Sequence, residues 1–179
     1  MKHLSLYIIG ILVLLLSACS TKKNTAGSRF WHSFNARYNT YFNGSEAYKE
    51  GFRLQEEGNR DNYTDLLPVF PVGNEKTRQL GTSNYETAIT KCEKAIQLHS
   101  IKRRPTVSAN KKRTAKLKAY LSRKEFNPFL KHAWLLMGKA QFGKGEFLEA
   151  ASTFSYITRL YAAEPVVAAE ARSWLARCY

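Results

Sequence analysis

Hydrophobic and polar positions fall into blocks of different period along this chain. From Leu4 to Leu16 nearly every residue is apolar, with Lys2 ahead and the small residues Ser17 and Ala18 behind. From Ser20 to Ser28 the chain turns polar and offers nothing to a core, which predicts a flexible tether. Phe30, Phe34, Tyr38, Tyr41 and Phe42, with Trp31 beside them, then recur at spacings of three and four, the period of one helix face. Asn43-Gly44 is a turn pair expected to break that helix. Ala47, Tyr48, Gly51, Phe52 and Leu54 carry a second helix to about Glu57, ended by Gly58. The two predict a helix hairpin, a degenerate first repeat, with its aromatic stripe in the core. Pro68 and Pro71 exclude a helix interior between Asp61 and Gly73 and predict an extended apolar strip there. It is expected either to lie along the neighbouring helices or to face a partner.

The second half repeats itself. Tyr85, Ala88, Cys92 and Ala95 have the spacing of Phe147, Ala150, Phe154 and Ile157 without a gap. An aromatic precedes an alanine by three residues, and apolar residues follow at four and then three more, all on one helix face. Ser83 and Glu86 fit a capping box for the first copy. Gly145 stands where the second copy needs a tight turn. Upstream, Ala133, Trp134, Met137, Gly138 and Phe142 stripe a partner helix over Phe129–Phe142, with Gly138 small where two helix axes approach.

Trp134, Met137, Gly138, Gly145, Phe147, Ala150 and Phe154 together resemble the tetratricopeptide repeat. Gln141 replaces the usual aromatic, and the closing proline, Pro165, comes about three residues late. Ala171, Trp174, Leu175, Ala176 and Tyr179 look like the first helix of a further repeat. Ala133 to Ala171 gives a period of 38, against about 34 for the family. The expected fold is all-α, with antiparallel helix hairpins of tetratricopeptide type stacked as the start of an α-solenoid, after a signal peptide. An open end carrying Trp174, Leu175 and Tyr179 predicts a fragment or the front of a longer array, poorly soluble alone or dimerising through that end.

Charge changes the picture in one place. The formal net charge is +14, and no acid occurs between Lys94 and Lys124. Lys102, Arg103, Arg104, Lys111, Lys112 and Arg113 form the candidate basic contact patch. Pro105 and the polar run after it predict a loop, and Ala109–Leu121 a helix with Leu117, Tyr120 and Leu121 as a thin apolar edge. Base-stacking aromatics are missing from the run, so no nucleic-acid partner is expected. Anionic lipid or an acidic protein surface suits it better, and a solvated loop without a specific partner fits the pattern equally well.

Candidate chemistry is sparse. His3 falls in the leader, and His32, His99 and His132 lie far apart, each expected to stand alone. No metal spacing, phosphate loop or nucleophile elbow is present. Glu56-Glu57 reads as a helix end. The expectation is a non-enzyme without metal, cofactor or small-molecule substrate. Cys92 and Cys178 are expected to be small buried hydrophobes rather than a bridge.

Leu16-Ser17-Ala18-Cys19 resembles the lipobox of bacterial lipoproteins. The apolar stretch is shorter than the roughly 20 residues of a spanning helix and reads as a cleaved signal. The resemblance implies diacylglycerol on the Cys19 thiol, cleavage before it, and acylation of its new amine. Ser20 in place of an acid implies the outer membrane, and Lys22-Lys23 is the opposite of an acidic surface-export run. The expected place is therefore the outer membrane, lipid-anchored and facing the periplasm.

Several strings are similar, as a set, to one family: Ala36-Arg37-Tyr38-Asn39, Tyr41-Phe42-Asn43-Gly44, Tyr48-Lys49-Glu50-Gly51, Leu67-Pro68-Val69-Phe70, Glu125-Phe126-Asn127-Pro128-Phe129-Leu130, Phe147 through Phe154, and Trp174 through Tyr179. They resemble the N-terminal part of the SprE/PorW-type repeat lipoproteins of Bacteroidetes, which serve gliding motility and type IX secretion. That implies a scaffold contacting protein partners of the secretion and motility machine. Alternatives are a helical-repeat lipoprotein of general outer-membrane assembly, or a tether for an enzyme domain beyond Tyr179. The expected organisation is signal peptide 1–18, tether 19–28, aromatic-rich helical region 29–101, basic insert 102–128 and repeat region 129–179.

Overall fold

The computed structural model describes residues 23–64, 66–67, 77 and 79–179. The signal, the lipobox with Cys19, and Pro68–Gly73 lie outside the described residues. Within them the chain is all-helical. Helix α1 spans Ala26–Asn35, a π-helical turn follows over Ala36–Tyr41, and α2 spans Phe42–Gly58. Further on come α3 (Thr82–His99), α4 (Ala115–Leu121), α5 (Leu130–Gly143), α6 (Phe147–Leu160) and α7 (Pro165–Arg177).

Helix α1 starts inside the expected tether. The Thr25 hydroxyl accepts from the Ser28 amide at 3.1 Å, an N-cap that fixes the first turn. Asn43-Gly44 does not break the chain, and the expected N-terminal hairpin does not form: α1, the π turn and α2 run on without interruption. The Phe42 amide bonds the Arg37 carbonyl, the wide register of a π bulge. Gly44 serves close packing instead. A Cβ there would meet Lys91 Cβ at 3.1 Å, the Ala88 carbonyl at 3.4 Å and Cys92 Sγ at 3.7 Å.

The partner of α2 is thus α3, across a long connection. Gly44 faces Cys92, Gly51 faces Tyr85, and Gly58 faces Leu80, so the two helices run antiparallel. Helices α5 and α6 form the second antiparallel pair, turning on Gly145, whose φ of 84° only glycine adopts easily. Gly138 lets the Phe154 ring lie where a Cβ would be 2.8 Å away. Helix α7 then runs parallel to α5, since Lys131 reaches Glu164 at 3.3 Å and Lys139 reaches Glu170 at 2.9 Å. Pro165 occupies the first turn of α7 rather than closing α6, where its missing N–H costs nothing.

The expected Ser83–Glu86 capping box is not made. Helix α3 is entered through Gly81, with φ 70°, packed against the Gly51 backbone. Glu86 pairs instead with Lys144 at 3.1 Å. The core lies in layers along the helix interfaces. Tyr85 and Ala88 meet Ala140, Cys92 meets Leu136 and Met137, and Ala95 meets Ala36, Leu130 and Ala133. Phe154, Ile157, Phe142 and Ala171 centre the last layer, with Trp174 against it. Each large side chain so buried contributes about 1.5–3 kcal/mol.

Candidate functional site

The residues expected to define the repeat are packing residues. Tyr85, Ala88, Cys92 and Ala95 are buried on α3, and Ala150 and Phe154 on α6. Phe147 and Trp174 are half-buried beside them, at 5.1 and 5.5 Å from Phe142. Trp134 lies against Tyr156 at 4.9 Å. One of these, Tyr85, also holds a polar tie. The Tyr85 hydroxyl donates to Gln55 Oε1 at 2.8 Å, and Gln55 Nε2 donates to the Gly143 carbonyl at 2.8 Å. One buried amide thereby joins α2, α3 and the end of α5. Burial pushes the Cys92 thiol up to about 12, so it is inert packing. Cys178 is free and half-buried, its Sγ 3.3 Å from the Trp174 carbonyl.

The basic insert projects from a pinned root. Glu125, the sole acid between Glu93 and Glu146, is buried. Its Oε1 accepts from the amides of Ile101 at 2.9 Å, Phe126 at 3.0 Å and Asn127 at 2.8 Å, and its Oε2 accepts from the Ser100 hydroxyl. Asn127 Nδ2 donates to the His99 carbonyl at 2.9 Å. Both ends of the insert are therefore clamped together at the end of α3. Beyond the clamp, Lys102, Arg103, Arg104, Lys111, Lys112 and Arg113 are all exposed. The helix there is shorter than expected, beginning at Ala115 with Thr114 as its cap.

The N-terminal aromatic stripe is not core. Phe30 is 71%, Tyr38 52% and Phe42 57% exposed, and Trp31 and Phe34 are about as open. Only Tyr41 turns inward, edge-on to Phe129 at 5.0 Å. Phe30 and Phe34 stack at 6.2 Å, and Phe34 and Tyr38 meet at 4.8 Å. With Arg29, Arg37 and Phe129 they line an open groove of about 460 Å³. The Arg37 guanidinium lies 5.2 Å from the Tyr38 ring centre. The insert reaches this same end: Asn24 Nδ2 donates to the Arg103 carbonyl at 2.6 Å and Asn24 Oδ1 accepts from Arg29 at 2.6 Å. Tyr63, Leu66 and Leu67 of the strip after α2 are also exposed.

His32 and His99, far apart in sequence, meet with their Nδ1 atoms 3.1 Å apart, which corrects the reading of each as solitary. Burial lowers the pKa of both, and that of His99 is lowered further by His32. One neutral ring donates to the other. Among the described residues no group of three or more metal-type ligands occurs, and no helix is long and apolar enough to cross a membrane.

Sequence missed the Glu125 clamp, the Gln55 tie, the histidine contact and the openness of the aromatic face. A lone acid in a long basic stretch was the available signal for Glu125. No known family model matches the chain, and no curated protein matches it.

Proposed function

We propose that this protein is a non-enzymatic scaffold, held by lipid on Cys19 to the outer membrane and facing the periplasm, that binds protein partners of type IX secretion and gliding motility. The hairpins α2–α3 and α5–α6, continued by α7, are of tetratricopeptide type on this reading. One observation carries it. A string resembling a lipobox precedes a stack of helix pairs in which Tyr85, Ala88, Cys92 and Ala95 and their counterparts Phe147, Ala150, Phe154 and Ile157 all take packing positions. Such pairs bury their faces only by stacking, which leaves extended outer surfaces for partner segments. The resemblance of the strings from Ala36 to Tyr179 supplies the secretion context.

The test is a strain lacking the gene. Type IX substrates should fail to reach the medium while outer-membrane barrels assemble normally. A broad loss of barrel proteins would favour the role in general outer-membrane assembly, and normal export would end the secretion reading.

A further inference from the structure

The exposed aromatic ridge of α1 needs an occupant, and the chain around it narrows the choice. Phe30, Phe34 and Tyr38 stand at successive turns of one helix face with Arg29 and Arg37 flanking them. The cationic triplet Lys102, Arg103 and Arg104 sits at the same end, tied to Asn24 through the Arg103 carbonyl. An apolar aromatic face rimmed by cations is the composition of a helix lying in the plane of an anionic bilayer surface. A second copy of this chain is disfavoured, because each copy carries +14.

On the lipid-anchor reading, position adds to this composition. Cys19 precedes Ala26 by seven residues, which reach at most about 25 Å when fully extended. A lipid on Cys19 would therefore hold the start of α1 at the headgroups continuously, so even a weak face would be engaged. We infer that the Phe30–Phe34–Tyr38 face of α1 and the π turn after it, with Arg29, Arg37 and the Lys102–Arg104 triplet, docks on anionic phospholipid and sets the orientation of the helical stack on the membrane. The anchoring half of this inference rests on the lipid-anchor reading above. The lipid-binding face does not.

The test places an environment-sensitive fluorophore at position 34, through Phe34→Cys in a Cys178→Ser background of the full chain. A control probe goes at the exposed Leu148 on α6 through Leu148→Cys. Each protein is reconstituted with vesicles of phosphatidylethanolamine and phosphatidylglycerol carrying lipid-borne quenchers. The mass of its N-terminal peptide is read in parallel for acylation. The expected result is a blue shift and quenching at position 34 that position 148 lacks, weakened by salt and lost in Phe30→Asp/Arg37→Glu with helical content intact. A probe at 34 that stays open to an aqueous quencher overturns the inference, whatever acidic protein the face then binds. An unacylated N-terminus overturns the anchor alone, because the position-34 probe on the chain with Cys19→Ala added, which leaves no second accessible thiol, still decides whether the face binds lipid.

Discussion

Glu125 holds the root of the insert by accepting three backbone amides and a hydroxyl in a buried site. Replacing it leaves those donors without partners away from water. Glu125→Ala should cost about 2–4 kcal/mol in denaturant unfolding. A loss near zero would mean that the clamp is incidental. The histidine contact makes a pH prediction. The folded pKa values of His32 and His99 lie below the ordinary 6.5, so the folded chain binds fewer protons than the unfolded one. Their contribution is full above 6.5 and is lost as pH falls from there through the lowered folded values. Urea midpoints should therefore drop on acidification through this window. His32→Gln should flatten the slope, leaving the parts due to His99 and His132, whose pKa values burial also lowers. A midpoint unchanged between about pH 7.5 and 5.5 would contradict this. The two cysteines should also differ. Cys178 should alkylate in the native protein, and Cys92 only on unfolding, as mass spectrometry of the labelled peptides would report.

At the scale of elements, periodicity made α3, α5 and α6 legible, because spacings of three and four place apolar residues on one face whatever covers it. It did not reveal which faces are covered. Phe30, Phe34 and Tyr38 share a helical period with true core residues, yet among the described residues no helix packs over them. Asn43-Gly44 misled for a related reason. Its local turn preference, about 1 kcal/mol for a glycine in a helix, is outweighed by the close contact of Gly44 with α3. Glycines at such contacts should be sensitive and others not. Gly81→Ala sets a side chain at φ 70° and 2.5 Å from the Gly51 carbonyl oxygen, and should cost about 2–4 kcal/mol. Gly27→Ala, with nothing within 4 Å in the first turn of α1, should stabilise slightly. Thermal melts of the two variants should separate widely. Comparable melts would mean that the α2–α3 contact is looser than described.

At the scale of the molecule, side chains far apart in sequence build one face. The aromatic end of α1, the end of α3 and the two ends of the basic insert meet through Asn24, His32, His99 and Glu125. None of those meetings follows from local spacing, since the contacts span up to 79 residues. Away from that face, on α7, Trp174 stacks on Phe154 at 5.9 Å and the Arg177 guanidinium covers Trp174 at 4.1 Å. On the proposed reading, lipid on Cys19 is the attachment that remains once surface contacts are stripped. The most direct measurement is fractionation of cells carrying Cys19→Ala, with a carbonate wash to strip surface contacts. The protein should leave the membrane pellet as a folded, helical chain while the wild type stays in it. A Cys19→Ala protein that resists the wash as the wild type does would contradict the lipid anchor and make the Leu4–Leu16 stretch the attachment instead.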